Sequence, residues 1–245
     1  MQKMQAAAVA LHAGAWYDTR RRVGRHMLEI IFEDAQLAVC VKPAGTAAQG
    51  EAPNAMPQQL AAQLGCTEIF PVHRLDQIVG GVMVYAKTQL AAAALSQQLQ
   101  TGAFKKEYLA VLRGVPEQEE DTLCDVLYHD RVKNKTFVVK KKRPGARQAR
   151  LAYALCQSAP DGADVLSLVR VQLFTGRTHQ IRAQFASRKL PLLGDGKYGG
   201  GDNRCSCALW SYRLRFRHPQ TGREMAFVHL PPDAFPWNLF SKEGL

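Results

Sequence analysis

The sequence predicts an α+β domain built on a mainly antiparallel sheet, and three observations support this class. Segments that alternate apolar and polar residues outnumber segments with helical periodicity. Most neighbouring strand candidates are separated by short turns, which favours hairpins over the helical crossovers of parallel sheets. The chain also lacks the P-loop motif found in many doubly wound nucleotide-binding folds.

Two short strands within residues 27–45 are predicted first, joined at Glu33-Asp34 and stopped at Pro43. A loop with a short helix follows at 46–60, and a third strand at 82–86.

A clear helix is then expected between Thr88, a candidate N-cap, and Gly102, which supplies the stop. Its apolar residues Leu90, Leu95 and Leu99 are expected on one face.

The middle of the chain combines a strand at 105–114 with a strongly basic segment. Residues 131–150 carry nine Lys or Arg and no acid. Alternation around Thr136–Val139 and a Pro144-Gly145 turn predict a basic β-hairpin. A charged run is usually a solvated face, but nine cations without a counter-charge favour an anionic partner.

The last third of the chain predicts two hairpins around a short helix. The first has an Asp161-Gly162 turn, and the second is centred on His218–Gly222. Between them a turn at Thr175 leads into a helix with Ile181 and Phe185 on its core face.

Size, composition and charge limit the classes of protein to which the chain can belong. Its 245 residues, 47% hydrophobic and 22% charged, suit one large globular domain or two small ones. The net charge of +11 indicates a polyanionic partner, nucleic acid before an anionic membrane surface. No apolar run approaches the roughly 20 residues of a membrane span, so we expect no membrane insertion.

Residues 1–25 are interpreted as a basic, disordered tail ahead of a domain at 26–245. Three consecutive arginines starting at Arg20 form its charged end. A signal peptide is rejected because the would-be apolar core is mostly alanine and contains His12. An Arg-rich, nearly acid-free start leaves an organellar transit peptide as the alternative.

The six cysteines predict free thiols in a reducing compartment, and hence a cytoplasmic protein. Four of them stand alone among apolar neighbours and are expected in the core, Cys124 included. The remaining pair, Cys205-x-Cys207, lacks the spacing of a zinc knuckle and has no second pair. The sequence therefore predicts no metal.

One candidate site is the loop His73-Arg74-Leu75-Asp76, which precedes the glycine pair Gly80-Gly81 and a strand. As a metal site it would need more ligands than His73 and Asp76. A serine hydrolase would need a G-x-S-x-G elbow, and a glycosidase a second flanking carboxylate. Two interpretations of this loop therefore remain: a salt-bridged turn, or a loop that carries a catalytic acid.

A second candidate is the turn Gly176–Arg182, which leads into a helix N-terminus where free backbone N–H groups favour phosphate. A capped helix with solvated Arg177 and Arg182 is the plainer alternative. A third is Lys106-Glu107-Tyr108, in which a tyrosine stands beside cations at the start of a strand. Each of these signals is weak by itself.

Taken in chain order, six motifs between Met27 and Trp237 resemble the RluA-type family of RNA pseudouridine synthases. The most specific are His73–Asp76 and Thr175–Arg182. The others are Lys42-Pro43-Ala44-Gly45, Lys106-x-Tyr108, Gly194-Asp195-x-x-Tyr198-Gly199 and His218-Pro-x-Thr-Gly222. The resemblance implies one catalytic domain on a long, bent, mainly antiparallel mixed sheet with flanking helices and a central cleft. It also implies isomerisation of uridine to pseudouridine in structured RNA, without a cofactor.

The resemblance assigns roles to the motif residues. Asp76 would be the catalytic aspartate, which either attacks ribose C1′ or takes a proton from C2′. Arg182 would pair with it, Tyr108 would lie against the target base, and Arg74 would help to hold the base out of its stack. The RNA, ribosomal or transfer, would bind a monomer. The residues expected to contact it are His73, Arg74, Arg177, His179, Lys140, Lys141, Lys142 and Arg143.

Two features depart from the family. Gln77-Ile78-Val79-Gly80-Gly81 stands where relatives usually have Arg-Asp/Glu-Thr-Ser-Gly, which indicates a divergent branch with altered loop contacts. The tail is too short for the S4 RNA-binding domain of many relatives, so we expect the core and residues 131–150 to bind RNA. The alternative to catalysis is a non-catalytic RNA-binding or assembly protein that retains the fold.

Overall fold

The computed structural model describes residues 27–141 and 143–245, in which eleven strands form one sheet and three α-helices pack on it. The strands are β1 (Ile30–Glu33), β2 (Leu37–Lys42), β3 (Phe70–Pro71), β4 (Gly80–Ala86), β5 (Lys105–Arg113), β6 (Glu120–Asp130), β7 (Lys135–Val138), β8 (Arg147–Asp161), β9 (Asp164–Leu173), β10 (Leu209–Arg217) and β11 (Glu224–Val228). The helices are α1 (Met56–Leu64), α2 (Gln89–Thr101) and α3 (Gln180–Ala186). The predicted tail at 1–25 lies outside the described residues.

The sheet confirms the predicted class. Its strands follow the order β1-β2-β4-β10-β5-β9-β8-β6-β7, with β3 added beside β4 and β11 beside β10. In the described part of the chain every pair is antiparallel except β4 with β10, so the sheet is mixed but mainly antiparallel.

The parallel contact between β4 and β10 depends on the glycine pair. It is limited to Gly80 opposite Trp210 and Gly81 opposite Ser211. A Cβ on Gly81, whose φ is +119°, would collide with the main chain of Ser211, and one on Gly80 would collide with the Trp210 ring. From Arg213 to Arg217, β10 pairs with β11 instead of β4. The sheet therefore branches just beyond this parallel seam between β4 and β10.

The sheet is covered on both faces where its central strands lie. Along β5, Tyr108 and Ala110 belong to the apolar cluster that also contains Ile181 of α3. The alternate residues Leu109 and Val111 belong to a second cluster on the opposite face. No helix in the described part of the chain is long and apolar enough to cross a membrane.

The helix at 88–102 forms as predicted, with one error in its core face. Thr88 caps it by accepting the Ala91 N–H through Oγ1, and Gly102 ends it in the left-handed conformation at φ 73°. Leu95 is buried, but Leu90 is 84% exposed because five residues correspond to about 140° of helical rotation. The buried companion of Leu95 is Ala91.

The basic segment is not the hairpin that the sequence predicts. The strand β7 pairs with β6 across a turn at residues 131–134, and β8 pairs with the other side of β6. The Pro144-Gly145 turn exists, with Gly145 at φ 83°, but it joins β7 and β8 without pairing them. Cys124 was also expected in the core and is exposed.

The loop at Gly194–Gly199 has the glycine spacing G-x-G-x-x-G, although its setting excludes a dinucleotide fingerprint. It lies between α3 and β10, whereas the fingerprint requires a strand before the glycines and a helix after them.

Candidate active site

A cleft of about 700 Å³ opens over the cluster that contains Tyr108. Its walls come from the loop before β4, the start of β5, and the turn leading into α3. Among the described residues, Asp76 is the single acid in its lining. Five cationic side chains share the lining, namely Arg74, Lys105, Lys106, Arg177 and Arg182. The cleft is therefore suited to a polyanion.

The loop that carries Asp76 is held through its main chain. The Asp76 carbonyl accepts the Val79 N–H at 3.0 Å. The Gln77 carbonyl accepts the Gly45 N–H at 2.8 Å, and the Gln77 side-chain Nε2 donates to the Gly45 carbonyl at 2.9 Å. Gln77, which departs from the family pattern, therefore still helps to fix the loop.

Lys42 also holds the loop that carries Asp76. Its side chain is fully buried, and Nζ donates to the carbonyls of Pro43, Thr46 and Gln77 at 2.9, 2.6 and 3.0 Å. Burial lowers the pKa of Lys42 to about 8, against the opposing effect of the Asp76 charge. Lys42 belongs to one of the six motifs but was not predicted as a site residue.

Arg182 connects Asp76 to the interior. Its Nη1 donates to Asp76 Oδ2 at 2.8 Å, while Nε and Nη2 form a bidentate pair with Asp195 at 2.7 and 2.8 Å. Burial alone would lower the pKa of Arg182, but its hydrogen bonds to Asp195 and Asp76 raise it above the ordinary value. The predicted pairing of Arg182 with Asp76 is confirmed. Asp195, fully buried, is a site residue that the prediction missed.

Tyr108 lies in the cleft wall and is 4% exposed. Burial, followed by the nearby charge of Asp76, raises the pKa of its hydroxyl above the ordinary value. Tyr108 therefore stays protonated at neutral pH, and can offer both an aromatic face and a hydroxyl donor.

His179 stands at the entrance to α3 in a left-handed conformation, with φ 51°. Its Nδ1 shares a hydrogen bond with the Tyr198 hydroxyl at 3.0 Å, and its Nε2 is 3.8 Å from Asp76 Oδ2. The Tyr198 oxygen also accepts the Thr136 N–H at 2.7 Å. Hydrogen-bonded polar groups thus run from β7 to His179, which stands 3.8 Å from the Asp76 carboxylate. Tyr198, like Asp195, was missed as a site residue.

The other residues predicted to contact RNA fall into two places. Arg74 and Arg177 line the cleft, where Arg74 Nη2 donates to Thr178 Oγ1 and Arg177 Nε donates to the Gln148 carbonyl at 3.0 Å. His73 also lines it, but its Nε2 accepts the Val84 N–H at 3.2 Å. These RNA contacts stay predictions.

The basic cluster lies outside the cleft lining. Lys140, Lys141 and Arg143 are exposed, and the Arg143 guanidinium stacks over the Tyr128 ring at 3.8 Å. Lys142 lies outside the described residues. RNA binding by this cluster is also still a prediction.

Two cleft histidines predict that stability increases with pH. Burial lowers the pKa of His179 to about 4 and that of His73 to about 3, from an ordinary value of 6.5. Between about pH 4 and 6.5 the two histidines are therefore protonated in the unfolded chain but neutral in the folded chain. We expect the free energy of unfolding to rise across this window, by up to about 1.4 kcal/mol per pH unit for each histidine.

The measurement is urea unfolding at pH 5 and pH 7 for the wild type and His179→Asn. Asparagine tolerates the left-handed backbone and does not titrate. The variant should show a smaller gain in stability between the two pH values. An equal gain would mean that His179 is protonated in the folded protein at pH 5.

No group of three or more His, Cys, Asp or Glu side chains suited to a metal ion occurs among residues 27–141 and 143–245. The cleft lining offers one carboxylate, its arginine and a tyrosine, surrounded by cations. This set can act on the sugar of a bound nucleotide and stack against its base.

Comparison with known proteins identifies the class. A family model described as RNA pseudouridylate synthase matches residues 36–187. An uncharacterized RNA pseudouridine synthase of Bacillus subtilis (strain 168), YhcT, is 34% identical over 220 residues, which cover 86% of this chain and 71% of the relative. Ribosomal large subunit pseudouridine synthase D of Neisseria meningitidis serogroup A is 32% identical over 229 residues, which cover 84% of this chain and 59% of that protein.

A solved structure shows the same fold. Human RNA pseudouridylate synthase domain containing 1 superposes with a TM-score of 0.74 at 19% identity, and 87% of each chain is covered.

Fold and cleft thus define an RNA-modifying isomerase. The chain belongs to the RNA pseudouridylate synthase family, which confirms the resemblance to its RluA-type members and the predicted conversion of uridine to pseudouridine in RNA.

Proposed function

We propose that this enzyme isomerises one or more uridines of ribosomal RNA, with Asp76 as the reacting group. One observation carries the proposal: Asp76, the single acid in the described cleft lining, is held by Arg182, which is held in turn by the buried Asp195. This arrangement fixes the direction of one carboxylate oxygen towards Arg182 and leaves Asp76 accessible, with 23% of its side chain exposed.

The reaction needs only groups that the cleft contains. The target uridine is flipped out of its stack so that its ribose meets Asp76. Asp76 either attacks C1′ or takes a proton from C2′, and the electrons of the glycosidic bond leave with N1 of the base. The base rotates and C5 bonds to C1′. On the first route this step breaks the bond between Asp76 and C1′, and on the second route Asp76 returns its proton to C2′. C5 then loses its proton and N1 gains one. Substrate and product are isomers, so no water, oxidant or co-substrate enters.

The neighbouring side chains have distinct roles in this proposal. Tyr108 stacks against the base and offers its hydroxyl. Arg74, long and always charged, fills the vacated space in the RNA or holds a displaced phosphate. Arg182 keeps a positive charge beside Asp76 throughout the reaction. A monomer is part of the proposal. The described cysteines are unpaired, which supports a reducing, cytoplasmic setting.

Large-subunit ribosomal RNA is the proposed substrate, because a relative that is 32% identical carries that substrate in its name. The test is tritium release from transcripts labelled at C5 of uridine, with large-subunit ribosomal RNA and transfer RNA assayed side by side. Release from the ribosomal transcript alone supports the proposal. Release from transfer RNA alone would overturn the choice of substrate, and release from neither would favour a non-catalytic RNA-binding protein.

The exposed cations after β7 are proposed to contact RNA phosphates outside the cleft. We predict that changing Lys140, Lys141 and Arg143 to glutamine weakens RNA binding and flattens its dependence on salt. Each lost phosphate contact lowers the slope of log affinity against log salt by about 0.7–0.9. Binding is measured by fluorescence anisotropy at several salt concentrations.

A matched control changes three other exposed cations to glutamine, namely Lys189, Arg217 and Arg223. They lie outside both the cleft lining and the basic cluster of Lys140, Lys141 and Arg143. It should change the slope much less. Equal slopes for the two triple variants would make the cluster an ordinary solvated surface.

A further inference from the structure

Lys106 is a cleft cation without an anionic partner in the described part of the chain. It lies on β5, where it pairs with Leu173 of β9 and Leu214 of β10, and its side chain lines the cleft. Burial lowers the pKa of Lys106, and no carboxylate opposes that effect. Removing an ammonium from water without a partner is costly, so such a group is expected to have a ligand.

His73 places a second unused donor close to Lys106. Because its Nε2 accepts the Val84 N–H, the ring proton of the neutral imidazole is on Nδ1. This Nδ1 is buried and has no hydrogen-bond partner among the described residues. Both residues line the cleft, and after burial the charge of Lys106 lowers the pKa of His73.

Gly176 lies against the ammonium. A Cβ at this position would be 3.2 Å from Lys106 Nζ, tighter than nine in ten real Cβ contacts. The turn leading into α3 therefore passes directly beside Lys106, which brings together the loop before β4, the start of β5, and this turn.

We propose that Lys106, in the same cleft lining as His73, binds a backbone phosphate next to the uridine that reacts at Asp76. Lys106 and Tyr108 are two residues apart on one strand, so they share a face and lie roughly 6–7 Å apart along it. A base stacked on Tyr108 therefore has its neighbouring phosphate within reach of Lys106. The site rests on the proposed function and extends it by assigning a phosphate subsite that is separate from Arg74.

The test compares Lys106→Met, Lys106→Arg and the control Lys189→Met, whose lysine is exposed outside the cleft lining. The probe is a fluorescent nine-nucleotide uridine RNA, with affinity measured by anisotropy over a range of salt. We expect about tenfold weaker binding for Lys106→Met, since a hydrogen bond to a charged group is lost. The salt slope should fall by about 0.7, the value for one contact on a single strand. Lys106→Arg should restore most of the slope, and Lys189→Met should leave it unchanged.

Thermal unfolding supplies an independent readout. Lys106→Met removes a desolvated charge that has no partner, so its Tm should equal or exceed that of the wild type. A lower Tm with unchanged RNA binding would overturn the subsite and make Lys106 a structural residue. Because both readouts are independent of turnover, failure to form pseudouridine would refute the proposed function without deciding this one. An unchanged salt slope in an active enzyme would refute the subsite alone.

Discussion

Asp76→Asn is expected to abolish pseudouridine formation while RNA binding stays within about twofold of the wild type. Asparagine keeps the shape of the side chain but can neither attack ribose C1′ nor take a proton from C2′. Removing a group with either role costs roughly a hundredfold to a millionfold in rate. Phosphate contacts made by the surrounding cations do not involve this carboxylate, so binding should survive. Tritium release and anisotropy measure the two quantities on the same RNA.

The matched control is Asp233→Asn, which changes a carboxylate that is 79% exposed and paired with Lys242. It should be as active as the wild type. If Asp76→Asn retained a tenth of wild-type turnover, the assignment of Asp76 would be wrong. If it lost RNA binding together with activity, the carboxylate would be needed to shape the cleft, and the chemical role would lose its support.

Asp195→Ala is expected to give the largest loss of stability. Asp195 is fully buried and makes two charged hydrogen bonds to Arg182. Removing one partner of a buried ion pair costs about 3–5 kcal/mol, because the remaining charge stays desolvated. For a chain of this size the change corresponds to a Tm lower by roughly 6–20 °C. Catalysis should fall as well, since Arg182 would lose the partner that directs it at Asp76.

Asp233→Ala controls for the loss of a carboxylate on the surface, where an ion pair contributes less than about 1 kcal/mol. Scanning calorimetry of both variants compares them directly. Similar Tm values for the two variants would show that Asp195 does not compensate the positive charge of Arg182. Another group or solvent would then compensate it.

The sequence allowed much of the fold to be predicted because most of its signals are local. The Thr88 cap, the Gly102 stop and the Asp161-Gly162 turn each depend on residues close in the chain, and the structure has all three. The β7 prediction failed for the opposite reason. Alternation identifies a strand but does not choose its partner, and β6 pairs with β7 on one side and β8 on the other.

The candidate site also contains residues that were predicted and residues that were missed. Asp76 and Arg182 are 106 residues apart and could be paired only through the family resemblance, which the structure supports with a direct hydrogen bond. Asp195, Tyr198 and Lys42 are polar residues whose function depends on burial and on distant partners. Composition and spacing carry no information about either, although all three occur in the motifs that suggested the family.

The seam between β4 and β10 restricts which residues of the preceding loop can be substituted. No side chain fits at Gly81 beside the main chain of Ser211. The loop before it is anchored by the carbonyl of residue 77, a group that every amino acid supplies. The exposed side chain of Ile78 is therefore open to substitution, whereas Gly81 is not. A substitution two residues from Asp76 would then leave its carboxylate in place.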